Sequence, residues 1–556
     1  MPAALAVPLA LAAAPCARAS DAVAAQALKL HRAPQPPRAS TLSPPHFVGD
    51  PATRLKRAYG GTKVDVTTYH NDLNRTGWNP TETDLTTASV QSAKFGLLAT
   101  LSVDGNVFAQ PLLVSGFGFP DGSTHDLLII ATGHNSVYAF DAQTYQVLWQ
   151  RNLGTPQSPG DLGCGDVQPE VGITATPVIV RTADNSATIY VVAAVESPAY
   201  HFVTKLHALN LATGADLVAD TKVAPSARLS DGSTVTFDQK DQWIRAGLAY
   251  ANGSIYMGVA SHCDHNDSAI TGWVLRYAPN LKLQHAFNTV RTPGGTELAS
   301  IWMTGFAPAI DPSGNVFVVT GNGDFTAGQK DYGESVLKLT PTLESVTTYF
   351  TPSNYGTFNL NDTDFGSGGV MLLPPVSGQT APALAVALGK SSVLYLLDKD
   401  KLGGEHGGDS GALQSQNAGG GGLWGGPAYY DGPAGPTVYT QTNNDLLRAW
   451  SVATGSKPSL TNNVSGASYA GYGGSLPIVS SNGATAGTGI VWLIDRAPAP
   501  FAIEAYDAVA LGNPIFAASV GMWSNSQGNA FLTPMEANGR VYAPGYLVVQ
   551  VYGLTP

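Results

Sequence analysis

A motif that returns eight times constrains this chain more than any other feature. Val137-Tyr138-Ala139-Phe140-Asp141, followed by Thr144 and Leu148-Trp149, is echoed by Leu206-His207-Ala208-Leu209-Asn210, by Val274-Leu275-Arg276-Tyr277, and by residues 336–339, 394–398, 447–450, 503–507 and 549–552. The central residues (139, 208, 276, 338, 396, 449, 505 and 551) lie 46 to 69 apart, which is room for four short strands and their loops. Each unit also opens on a small residue or proline: Gln110-Pro111, Thr176-Pro177, Ala246-Gly247, Ala307-Pro308, Gly368-Gly369, Gly426-Pro427, Leu476-Pro477 and Thr533-Pro534. Proline lacks the ladder N–H and keeps to edges, and the innermost strand of a propeller blade is an edge facing the channel. The pattern predicts an all-β fold, a closed eight-bladed β-propeller of four-stranded blades over about residues 63–556. The last unit ends at Leu554 without room for an outer strand. The apolar stretch 95–101 is expected to supply it, closing the ring and hiding the sheet edges.

Composition agrees: 12% charged residues, 62 Gly and 38 Pro suit a rigid, turn-rich β protein. A net charge of −11, with Arg54-Leu55-Lys56-Arg57 as the one basic cluster, argues against a nucleic-acid partner. Residues 3–15 are an apolar Ala/Leu run followed by Ala17-Arg18-Ala19, so residues 1–19 read as a signal peptide and the protein as periplasmic or secreted. No later stretch reaches the roughly 20 apolar residues of a membrane span. Residues 20–62, rich in Pro and Ala, read as a linker. Beyond the leader, Cys164 and Cys263 form an even pair, which in an oxidising compartment predicts a disulfide.

Four polar or aromatic positions follow one another at predicted strand ends: Trp302, Asn322 in Thr320-Gly321-Asn322-Gly323, the pair Asp362 and Asp364, and Lys390 after Gly389. An aromatic plate, an amide oxygen, two carboxylates and a fixed cation suit a flat anionic ligand and a hard metal ion. Each also has a structural reading: Trp302 as a channel plug, Asn322 and the aspartates as turn residues, and Lys390 as an exposed strand end. His262 and His265, with His201, suit a transition-metal or proton-transfer site, or simply solvated loops. His70-Asn71-Asp72-Leu73-Asn74-Arg75-Thr76 is expected to anchor the N-terminal arm to the propeller through side-chain-to-backbone bonds.

Ala139, Asp141, Thr144 and Trp149 resemble the tryptophan-docking motif of the eight-bladed quinoprotein alcohol dehydrogenases, with Tyr145 where that motif usually has Gly. From about residue 95 to 400 the order of motifs is similar too. The resemblance implies stacking of pyrroloquinoline quinone (PQQ) on Trp302, with Ser261, Arg245 and Lys390 as further cofactor contacts. It implies Ca²⁺ or a lanthanide held by Asp264, Asn322, Asp364 and Asp362, and catalysis by Asp364 and Lys390 on an alcohol or sugar. The chain departs from the family in three places. Gly165 replaces the second of two adjacent cysteines, Glu170 stands where a quinone-gripping Arg is usual, and Asp264 is one methylene shorter than the usual Glu. A Cys164–Cys263 bridge would then cap the cofactor differently, and Arg245 would restore the lost positive charge. With no Cys-x-x-Cys-His for an attached haem, a dehydrogenase would need a separate electron acceptor. Two other classes stay open: a non-enzymatic propeller binding a glycan or protein partner, and a polysaccharide lyase or hydrolase using Arg245, His262 and Tyr200.

Overall fold

The repeated motif forms strands because its Val, Ile, Leu, Tyr and Ala side chains are packed on both faces; Ser136–Asp141 and Val336–Leu339 are buried along their whole length. The computed structural model describes residues 46–47 and 59–555, except 199, 266–269, 295–297, 327, 329, 377–382, 498–499, 522 and 524–531. The expected leader and most of the expected linker lie outside the described residues. His46–Phe47, inside the stretch read as linker, is a short strand paired with Thr100 and Ala99.

Eight sheets follow in chain order, each built on four antiparallel strands, with a short parallel strand added beside Ile478–Ser480 and another beside Val346–Thr351. Their innermost strands are Leu112–Gly118, Val178–Arg181, Ala249–Ala251, Ala309–Ile310, Val370–Leu372, Ala428–Gly432, Ile478–Ser480 and Met535–Ala537, each just after one of the small or proline pairs. The echoed motif is the third strand of every blade, as in Ser136–Asp141, His201–Asn210 and Phe501–Asp507. In the last sheet Phe95–Asn106 lies beside Tyr546–Leu554, with Phe95 opposite Leu554 and Asn106 opposite Tyr546. Among the described residues no helix is long and apolar enough to cross a membrane.

Neighbouring blades are locked as the docking motif requires. Asp141 accepts the N–H groups of Gln143 and Thr144, making the turn that precedes Trp149. The Trp149 indole N–H donates to Leu211 O of the next blade at 2.9 Å. A Cβ on Gly214 would lie 2.6 Å from the indole, so only glycine fits there. Tyr145, at φ 61°, is stabilised where glycine would be expected, because its hydroxyl accepts from Arg540 Nε of the last blade at 3.0 Å.

The segment from Val64 to Glu82 is a strap around the hub. The carbonyls of Val66, Thr67, Leu73, Asn74, Thr76 and Gly77 accept N–H groups of Leu113, Ile179, Ile310, Leu372, Tyr429 and Val479, one from each of six innermost strands. Those strand edges would otherwise leave ladder groups unpaired. Arg75, fully buried, clamps the strap: Nε and Nη2 donate to Pro308 O, and Nη1 donates to Thr68 Oγ1, Tyr69 O and Asp72 O. The His70 ring stacks on Tyr69 at 4.5 Å and meets Phe306 edge-on. The strap bonds these six innermost strands at their second or third residue. Arg245, Trp302 and Asp364 lie in loops that lead into innermost strands, and Asp264, Asn322 and Lys390 in loops that follow second strands.

Candidate functional site

Trp302 lies between Ile301, whose N–H donates to Val259 O at 2.7 Å, and a 3-10 turn, Met303–Gly305. Met303 and Thr304 have positive φ (37° and 46°), held in part by the Thr304 hydroxyl donating to Ser367 O at 2.6 Å. The half-buried indole is shared by two cations: Arg245 Cζ is 4.7 Å and Lys390 Nζ 5.2 Å from its ring centroid. Gly321 lets the next loop approach, since a Cβ there would be 2.6 Å from Asp364 Oδ1 and 2.9 Å from Trp302 Nε1.

Asp364 is the centre of the arrangement. Its Oδ1 accepts the backbone N–H of Asn322 at 2.8 Å and its Oδ2 accepts from Lys390 Nζ at 2.5 Å. Lys390 also donates to Asp362 at 3.0 Å, and the Asn322 side-chain amide donates to the same Asp362 oxygen at 2.9 Å. Against burial, which would raise it, the ammonium of Lys390 and the Asn322 N–H hold the Asp364 carboxyl below its usual range. The ion pairs in turn raise Lys390, again against burial. Asn322 Oδ1 is buried and has no hydrogen-bond partner among the described residues.

Ser261 donates to Asp264 Oδ1 at 2.5 Å, so this serine orients a carboxylate. Loss of hydration and then the charge of Asp364 raise the Asp264 carboxyl to about 6, although the residue stays open to solvent, which tempers the shift. Cys164 and Cys263 form a disulfide with Cα atoms 5.7 Å apart, tying the loop of Cys164 directly to Asp264. Cys263 and Asp264 both sit at positive φ. Arg245 is buried; desolvation lowers it to about 9 against the opposing charges of Asp166, Asp364 and Asp264.

The structure thus brings together Trp302, Arg245, Ser261, Asp264, Asn322, Asp362, Asp364 and Lys390 around one loop cluster. The histidine cluster does not assemble. His262 is buried, stacks on Trp243 at 4.6 Å and is pushed down to about 3 by burial and by Arg245, while His201 lies exposed at a strand start. Among the described residues the one tight group of metal-ligating types is Cys164, Asp166 and Cys263, whose thiols are already oxidised to the disulfide. Glu170 does not stand as a lone repelling charge: its Oε2 pairs with His134 Nδ1 at 2.9 Å, a bond that raises the imidazole. Sequence reasoning missed His134, the Trp424–Tyr472 ring pair at 5.2 Å, and above all Glu334, a fully buried carboxyl bonded to the residue after Asp364.

No model of a known protein family matches the sequence, and no curated protein matches it. Solved structures do. The quinohemoprotein alcohol dehydrogenase from Comamonas testosteroni aligns over 90% of this chain and 83% of its own, with TM-score 0.56 and 15% identity. The quinohemoprotein alcohol dehydrogenase ADHIIG from Pseudomonas putida HK5 aligns over 88% and 80%, with TM-score 0.53 and 12% identity. The fold is the eight-bladed propeller of the quinoprotein dehydrogenases. At these identities the likeness is one of fold, and chemistry has to be argued from the loop cluster.

Proposed function

We propose that this propeller is an exported quinoprotein-type oxidoreductase that oxidises an alcohol or sugar, with a quinone of the PQQ kind on Trp302 and Ca²⁺ or a lanthanide beside Asp264 and Asn322. The observation that carries the reading is Asn322. Its backbone N–H is used by Asp364 and its side-chain N–H by Asp362, which leaves the buried Oδ1 as an acceptor with no donor. A buried carbonyl oxygen without a partner is costly, and a hard cation relieves it. Asp264, raised by loss of hydration and then by the charge of Asp364, supports the same assignment: a cation there would favour its charged form.

The donor set fits a hard cation, with Asp264, Asn322 Oδ1 and Asp364 as oxygen ligands. It fits a flat anion too, since an aromatic plate is flanked by Arg245 and Lys390. Bound there, the quinone supplies a two-electron acceptor for hydride from the carbinol carbon. Asp364, kept ionised by Lys390, accepts the hydroxyl proton, and its basicity rises whenever Lys390 turns away toward negative charge on a ligand. The disulfide and the strained turn at Cys263 hold Asp264 in place. Electrons would leave to a separate acceptor, and the disulfide is consistent with an exported protein.

One observation favours a second reading, a propeller that binds a glycan or protein without cofactor. Lys390 bridges Asp362 and Asp364, and no three carboxylates of the cluster converge to within 4.8 Å among the described residues. Titration of metal-depleted protein with PQQ and Ca²⁺ or a lanthanide, followed by tryptophan fluorescence, separates the two. Saturable quenching that requires the cation and is lost in Trp302→Ala and Asp364→Ala supports the oxidoreductase; absence of quenching in the parent protein overturns it and leads to a glycan array.

A further inference from the structure

Glu334 is a buried group that the proposed chemistry does not use, and its placement is unusual in three respects. It is fully buried, its backbone is left-handed (φ 53°), and its Oε1 has no hydrogen-bond partner among the described residues while Oε2 accepts the Phe365 N–H at 2.6 Å. The strained position is enforced locally. Gly333 passes so close to the facing loop that a Cβ would be 2.1 Å from Gly323 O, and the Glu334 N–H donates to Gly321 O at 2.9 Å. Thr320 and Ser335 close the same hairpin, the Thr320 N–H donating to Ser335 O at 2.9 Å. One hairpin therefore reaches the Asp364 turn twice: Asn322 N–H binds the Asp364 side chain, and Glu334 binds the peptide that follows it. Phe365 itself is buried, so that peptide N–H has no access to water.

We propose that Glu334 is the positioning residue of Asp364, its carboxyl fixing the Asp364–Phe365 peptide so that the carboxylate stays between Asn322 and Lys390. The role needs an acceptor at this spot rather than a negative charge. Oε2 takes the Phe365 N–H, and glutamine copies the side chain in shape and in acceptor oxygen. A charged glutamate would instead add to a cluster already holding Asp264, Asp362 and Asp364. The consequence for ligand binding rests on the cation site proposed above.

The test compares Glu334→Gln with Glu334→Leu in the full chain by two readouts. Hydrogen exchange of residues 363–368 in the metal-free protein should accelerate in Glu334→Leu and stay at the parent rate in Glu334→Gln, with residues 136–141 of the first blade unchanged in both. Terbium affinity, read by tryptophan-sensitised luminescence, should fall about 10–100-fold in Glu334→Leu and stay within about threefold in Glu334→Gln, the range for removing a group that orients a metal ligand. Parental exchange in Glu334→Leu would overturn the positioning role. So would a Glu334→Gln protein as impaired as the leucine variant, since that outcome assigns the effect to charge. If the parent protein binds no terbium, the cation reading fails by itself, and the exchange result still decides the role of Glu334.

Discussion

The contact between the strap and the last blade should make stability depend on pH in a direction opposite to that of most carboxylates. Glu82 of the strap and Glu536 of the innermost strand Met535–Ala537 are both fully buried. Three N–H groups converge on Glu82, from Asp84, Leu85 and Gly539, whereas Glu536 Oε2 receives the Asn79 side chain and its Oε1 has no hydrogen-bond partner among the described residues. Burial first, and then the charge of Glu82, raise Glu536 well above the ordinary carboxyl range. Tyr59 and Tyr542 also face this pair and are themselves raised, so they add no compensating positive charge near neutral pH. A group with a raised folded pKa contributes stability that is fully present below its unfolded pKa and is lost as pH rises through the folded one. Between those two values the loss is about 1.4 kcal/mol per pH unit, one proton being held by the folded state alone. Glu536→Gln keeps a neutral acceptor and removes the titration, so the slope of unfolding free energy against pH should become less negative by about that amount above pH 5. Other titrating groups cancel in the difference between the two proteins. Urea unfolding of both proteins at half-unit steps from pH 5 to 7.5 measures it; equal slopes, or a steeper fall in the variant, would refute a raised Glu536.

Arg75→Ala should destabilise by about 3–5 kcal/mol, the usual result of breaking a buried charged network, and should expose the strap to protease before the blades unfold. Removing both cysteines as Cys164→Ser with Cys263→Ser opens a crosslink between residues 99 apart. The chain-entropy model assigns such a loop about 4.7 kcal/mol, so a much lower urea midpoint is expected, together with weaker terbium binding because Asp264 is no longer tethered. Terbium affinity of the parent protein should rise as pH is increased from 5 to 7, since Asp264, raised to about 6, must lose its proton to become a ligand; a flat profile would place the cation elsewhere. Lys390→Ala should raise the Asp364 carboxyl, visible as a new titration by infrared difference spectroscopy, because the ammonium is the largest of the effects that oppose burial there.

The blades were legible because their chemistry is periodic. Proline or small residues mark each innermost strand, and the apolar run marks each third strand, whatever lies between. The strap was legible only as an anchor at His70–Thr76. Its main bonds come from backbone carbonyls of Val66, Thr67 and Asn74, which leave no side-chain signature. The loop cluster was half legible. Trp302, Asn322, Asp364 and Lys390 advertise themselves by type and order, but Glu334 is an isolated acid whose one clue is Gly333 before it. Compensation across long separations was not legible at all. Glu170 stands where an Arg is usual and its partner His134 lies 36 residues away, and Tyr145 stands where Gly is usual and its partner Arg540 lies 395 away.

The way backbone strain is enforced in the loop cluster bears on which reading of it the fold serves. Cys263, Asp264, Met303, Thr304, Glu334 and Asp362 hold positive φ without being glycine, six of the 25 such residues among those described. Such residues cost on the order of 1–3 kcal/mol each and persist only where surroundings enforce them. Here the enforcement is visible: the disulfide at Cys263, the Thr304 bond to Ser367, the glycine contact behind Glu334 and the C-cap of Tyr355–Asn361 at Asp362. A surface that merely displays side chains to a large partner has no need of this. Fixing a carboxylate, an amide oxygen and a lysine against a tryptophan face does need it, because a small ligand is bound by a few polar atoms whose positions must be set before it arrives.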